Sequence, residues 1–188
     1  MEFKKVNKIV IVFSLLLGTV AQAQISIGGK QSVATESSIL DFYGMTNSDD
    51  LTDSSTANTK GIILPAVDDL PVFSDNTANN GTFVFDRNEK KVRMFEAGAW
   101  KDLSLNAGDD TAIVPNDSES VGQGAILGGT SSKAEGVLVL ESMNKALVLP
   151  HIKNPHINVK SPYPGMMCYD TISNSLAVFD GVFWNYWK

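Results

Sequence analysis

The chain has 188 residues, with 15 Lys and Arg against 21 Asp and Glu, for a formal net charge of −6. That balance excludes a nucleic-acid partner gripped through its phosphates, which would repel the surface. The single cysteine, Cys168, excludes an intramolecular disulfide.

Residues 1–23 read as a signal peptide. Lys4, Lys5 and Lys8 form a positive start, and Ile9 to Leu17 is an apolar run broken only by Ser14. Ala21-Gln22-Ala23 is a small-x-small site, which places cleavage between Ala23 and Gln24. The apolar run is short for a membrane span, and no later stretch is long and apolar enough, so no span is expected in the mature chain. A lipoprotein is not expected, because no Cys follows the cleavage site. The mature 165 residues carry a net charge of −8, suited to a soluble exported protein and sufficient for one ordinary domain or two small ones.

Gln24 to Ser38 is polar and opens with ISIGG; Ile39 to Phe42 is a short apolar run that predicts a strand. Tyr43 to Lys60 is crowded with Asn, Asp, Ser and Thr and predicts a loop. Asp49, Asp50 and Asp53 fall close together there, without the fixed ligand spacing of a calcium hand, so a solvated acidic loop is expected. Ile62 to Leu64 predicts a buried strand stopped by Pro65, which has no N–H for a ladder. Asp68 to Asn80 is a connection. From Gly81 the pattern predicts a three-stranded meander: Thr82 to Phe85, Val92 to Phe95 and Trp100 to Leu103, with Asp86 to Lys90 and Glu96 to Gly98 as turns. Phe83, Phe85, Phe95 and Trp100 are expected to cover one another.

Ser104 to Lys133, rich in Gly, Asp, Ser and Asn around the apolar island Ala125 to Leu127, reads as a linker. Val137 to Leu140 then repeats the role of Ile39 to Phe42. Ala146 to Leu149 is a second buried strand stopped by Pro150. Met166 to Tyr169, Leu176 to Phe179 and Trp184 to Trp187 form a second meander, and Asp180-Gly181 is a hairpin signal. No amphipathic helix of ten or more residues is expected.

The chain therefore contains one unit twice. Leu64-Pro65 matches Leu149-Pro150, Gly81 matches Gly165, Phe85-Asp86 matches Tyr169-Asp170, Phe95 matches Phe179 and Trp100 matches Trp184. From Gly81 to the Trp the offset is a constant 84 residues. Spacing kept that strictly while side chains change points to a common backbone rather than a shared reactive group. The expected fold is all-β: two related small β-meander modules, 24–103 and 134–188, joined by the Gly/Asp/Ser-rich linker 104–133.

Laid side by side, SSILD (37–41), TKGIILP (59–65), GTFVFD (81–86), Phe95 and Trp100, with YDT (169–171) and VFDGVFW (178–184), resemble a repeat found in exported proteins of Bacteroidota. That repeat reads SSILD…TKGLLLPR…G-x-x-YD…VYDG-x-W. The resemblance covers roughly residues 36–103 and 136–187. It implies an adhesin-like or tail-fibre-like surface protein of a Gram-negative envelope. The basic residue usual after Leu-Pro is Ala66 in one copy and His151 in the other. The C-terminal chaperone domain that some such proteins carry is not expected beyond Trp187.

No reactive constellation stands out, and no cofactor or metal is expected. Cys168 takes the place of Val84 in a strand, among Met166, Met167 and Tyr169, so a buried apolar role is expected rather than a catalytic thiol. His151 and His156, five apart among prolines, do not share a helix face for zinc. Asp86 and Asp170 sit at turn starts, where a carboxylate bonds the next backbone N–H groups. There is no nucleophile elbow, phosphate loop or dinucleotide fingerprint. The candidate ligand or interface residues are Trp184, Tyr186 and Trp187 in the aromatic tail, together with His151. Alternation places Trp184 and Tyr186 on one face and Phe183, Asn185 and Trp187 on the other. An exposed ring there would stack on a sugar or anchor a partner; otherwise Trp187 packs against the first copy. Asp110-Thr111-Ala112 and Asp170-Thr171-Ile172 are similar to a short O-glycosylation motif of the same phylum. The expected function is a non-enzymatic structural or adhesive role at the cell surface or in an extracellular assembly. Self-association, including trimers, or pairing with other surface or envelope proteins is expected from open strand edges. The alternatives are a glycan-binding module and a periplasmic accessory factor in envelope or secretion-machinery assembly.

Overall fold

The computed structural model describes residues 24–27, 37–42, 57–114 and 124–188. The signal peptide up to Ala23 and the acidic cluster Asp49, Asp50 and Asp53 lie outside the described residues. Among the described residues the regular structure is nearly all strand, as the pattern of short apolar runs predicts, in a repeat-like solenoid arrangement.

The two copies use the same strands in the same order. In the first, β1 (Ile25–Ile27) runs parallel to β2 (Ser38–Phe42). Then come β3 (Ile62–Ile63), β4 (Ala66–Val67), and the meander β5 (Phe83–Asp86), β6 (Lys91–Glu96) and β7 (Ala99–Asp102). In the second, β8 (Ala125–Leu127) runs parallel to β9 (Leu138–Leu140). β10 (Ala146–Leu147), β11 (His151–Ile152), β12 (Met166–Asp170), β13 (Ser175–Phe179) and β14 (Trp184–Trp187) follow. One short helix, α1 (Pro155–Asn158), interrupts the second copy, with proline in its first turn where a missing N–H does no harm. The stretch 104–133, read as a linker, thus contains the opening strand of the second copy.

Matching hydrogen bonds fix the equivalence. Phe85 N–H donates to Pro65 O at 2.8 Å and Tyr169 N–H to Pro150 O at 2.9 Å. Gly81 N–H donates to Phe95 O at 2.8 Å and Gly165 N–H to Phe179 O at 2.9 Å. Gly81 and Gly165 both hold positive φ, 84° and 81°, which explains why only glycine opens each meander. The turns agree too: Lys90 and Asn174 occupy the left-handed region at 55° and 53°.

The copies are stitched by exchanged strands. β10 of the second copy adds in parallel to β2 of the first, with Ala146 opposite Ser38 and Leu147 opposite Leu40. β3 of the first adds antiparallel to β12 of the second, with Ile62 opposite Met167 and Ile63 opposite Met166. Between them lies one shared core: Leu64, Phe85, Val92 and Leu103 from the first copy, Ile113, and Met167 and Val178 from the second. Burying such side chains, at roughly 25 cal/mol per Å² of apolar surface, gives either meander far more cover than three strands manage alone.

Register corrects one expectation about the aromatic rings. Phe83 faces Met94 and Phe85 faces Val92 across the ladder, so both look into the shared core. Phe95 faces Trp100 and lies on the opposite side of the sheet. There Phe73 joins them, with ring centroids 4.9 Å from Phe95 and 5.9 Å from Trp100. The four rings therefore split between two faces, because residues two apart on a strand share a face and neighbours do not.

Candidate functional site

The aromatic tail β14 pairs with β13, Trp184 opposite Phe179, Tyr186 opposite Ala177 and Trp187 opposite Leu176. The predicted alternation is followed. Trp184 packs on a second core made of Ile152, Val159, Met166, Cys168, Ala177 and Phe179, with its ring 5.4 Å from Phe179. Tyr186, on the same face, points its hydroxyl at His156 Nδ1, 3.0 Å away. Burial pushes the Tyr186 phenol up to about 12, with the charge of Asp170 adding to it. Its phenol thus stays neutral at physiological pH.

Trp187 looks the other way. Its indole Nε1–H donates to Leu103 O at 2.6 Å, and the neighbouring Asn185 Oδ1 accepts from Leu105 N–H at 3.1 Å. Asp109 N–H donates to Asp180 O at 2.9 Å, at a crossing where a Cβ on Gly108 or Gly181 would overlap the backbone of the facing segment. Trp187 therefore clamps the end of the first copy onto the last strand, while part of its ring stays exposed. His151 is set apart from this tail on β11, its ring 5.1 Å from that of Tyr169. Phe183, in the turn before β14, is 60% exposed and Tyr186 is 40% exposed.

The carboxylates at the turns bond the backbone as expected. Asp86 accepts from Asn88 N–H at 2.9 Å and Glu89 N–H at 3.2 Å. Asp170 accepts from Ile172 and Ser173 N–H, from the Ser173 hydroxyl at 2.6 Å, and from Asn154 N–H before α1 at 3.0 Å. Burial pushes the Asp170 carboxyl up, but the Ser173 hydroxyl and these N–H groups outweigh it and hold the pKa below the usual value. Asp180 plays the same part in the last turn, accepting from Val182 and Phe183 N–H and from the Asn185 amide. Its place in the first copy is taken by Glu96, so the Asp180-Gly181 hairpin signal rather than the repeat marks it in the sequence.

Cys168 is fully buried in the second core, and its thiol is pushed up to about 12 by burial first and by Asp170 second. Of the two glycosylation-like sites, Thr111 is exposed and its hydroxyl bonds Asp109 at 2.8 Å, whereas Thr171 is buried. In the first copy, the face equivalent to the second core carries charge. Arg93 stands where Ala177 does, bridging Asp86 at 3.3 Å and Asp102 at 3.1 Å. Among the described residues no three His, Cys, Asp or Glu side chains group as metal ligands, and no helix is long and apolar enough to cross a membrane. No family model, curated protein or solved structure matches the chain.

Proposed function

We propose that this is an exported, non-enzymatic structural or adhesive component of a Gram-negative cell surface or of an extracellular assembly. One observation supports it above the others. The polar side chain that the two meanders hold in common, Asp86 in one and Asp170 in the other, turns inward to bond its own turn. What recurs is thus a device for building and stacking backbone, as a rod or scaffold requires. The resemblance to Bacteroidota surface repeats agrees with this reading. Protease or antibody access on intact cells tests it: cleavage without breaking the outer membrane is expected. Protection until that membrane is opened would overturn it in favour of a periplasmic assembly factor.

A second reading rests on the exposed ring of Tyr186 beside His156, which offers a stacking surface for a sugar. It requires glycan binding that Tyr186→Ala weakens. A glycan array without a hit, or unchanged binding in that variant, removes it.

A further inference from the structure

We propose that the open end of the second copy receives the open start of the first copy of another molecule, so that the protein joins head to tail with a second copy of itself. This deepens the structural reading above and rests on it.

The junction inside the chain defines both halves of the contact. At that junction β2 accepts β10, and β12 accepts β3. The counterparts of the two acceptors are β9, equivalent to β2, and the start of β5, equivalent to the start of β12. Both are open among the described residues. β9 pairs only with β8, and the parallel partner β4 reaches β5 only at Phe85 and Asp86, leaving Phe83 without a strand on that edge.

Burial follows the pairing. Leu40 in β2 is 2% exposed, while its counterpart Leu138 in β9 is 48% exposed and the adjacent Val137 is exposed too. Gly165, at the start of the second meander, is buried, and a Cβ there would stand 3.2 Å from Phe85 Cβ and 3.7 Å from Leu64 Cβ. Gly81 is exposed, with nothing within 4 Å of that position. The same residues are covered where a neighbouring copy exists and bare where it does not.

The donor strands carry the matching hydrogen-bond groups. Alternate N–H groups of a strand point to opposite edges. Ala146 and Val148 N–H donate to Ser37 O and Leu40 O, at 2.7 and 2.9 Å, which turns Leu147 and Leu149 N–H to the other edge. Their first-copy counterparts are Ile62 and Leu64, which point the same way and use that edge: Leu64 N–H donates to Gly165 O at 3.0 Å. Repeating the junction between molecules places Leu147 opposite Phe83, Leu149 N–H on Gly81 O, and Leu138 beside Ile62 and Ile63 of the next chain. Ile63 is 44% exposed and awaits that contact. The two surfaces differ from each other, so the contact is heterologous and grows into a filament or closes into a ring.

Cysteine cross-linking tests this on the exported full chain. Leu138→Cys and Ile63→Cys alter exposed side chains, and buried Cys168 supplies no competing thiol. With a short bis-maleimide, a mixture of the two variants is expected to give a joined dimer. Either variant alone gives none, and the double variant gives a ladder. Adding Val137→Lys to the Leu138→Cys partner removes the mixed product while the circular dichroism spectrum is retained. Products from Leu138→Cys alone would show a like-to-like contact and overturn the proposal. Absence of any mixed product would overturn it as well, whether the wild type sediments as a monomer or as another oligomer. Surface access on intact cells is read separately. Loss of cross-linking with access retained sinks only the head-to-tail contact, and loss of access sinks the functional reading.

Discussion

The two copies have nearly the same skeleton and quite different surroundings. Leu40 and Leu138 hold the same place beside a parallel strand, yet one is sealed by β10 and the other faces solvent. Arg93 and Ala177 hold the same place on the central meander strand, yet one sits in a cage of carboxylates and the other under Ile152 and Val159. The difference teaches that the repeat prescribes backbone, through glycines, prolines and turn aspartates, while position in the stack prescribes burial. Single substitutions at paired positions can break that distinction or sharpen it.

The largest effect is expected at Phe85, fully buried in the shared core. Phe85→Ala should cost about 3–5 kcal/mol, whereas Tyr169→Ala at the half-buried equivalent costs less. Denaturant unfolding measures both, and because the core joins the copies, the loss should appear as one earlier transition rather than as melting of the first copy alone. Next, Leu40→Ala should cost about 2–5 kcal/mol, and Leu138→Ala in dilute protein well under half of that. Equal costs would mean that β9 is covered within its own chain.

A smaller effect is expected at the turns. Asp170→Ala leaves partly buried N–H groups and the Ser173 hydroxyl without their acceptor and should cost about 1–3 kcal/mol. The Asp170 carboxyl is held below its unfolded value of 3.8, so its contribution is fully present above that pH and fades as pH falls through the lower folded pKa. Stability measured from neutral to strongly acid pH should therefore fall less in the variant. Smallest of all is the expected change at Cys168, which affects reactivity alone. Its buried thiol should resist alkylation at neutral pH in the native protein and react on unfolding.

Much of the fold is legible in the sequence. Pro65 and Pro150 mark strand ends, Gly81 and Gly165 open the meanders, and Asp86 and Asp170 cap their turns, because each of these residue types has a local conformational reason to be there. The links between copies were not legible. β3 and β10 are two residues long, too short for any periodicity, and their partners lie in the other copy. β8 was hidden by its composition. Only the echo of Ile27-Gly28-Gly29 in Leu127-Gly128-Gly129 could have revealed it, and at Gly128 a Cβ would overlap Ile39 Cδ1 of the first copy. The tail was half legible: alternation placed Trp184 and Trp187 on opposite faces, but the acceptor for the Trp187 indole, Leu103 O, lies 84 residues away.

Amide hydrogen exchange at Leu64 and Leu149 compares the two copies most directly. The two N–H groups are equivalent, and only Leu64 has an acceptor, Gly165 O, among the described residues. In dilute protein Leu64 should exchange slowly and Leu149 fast, with Leu149 becoming protected as concentration rises. Slow exchange at both sites in dilute protein, or fast exchange at both, would contradict the account.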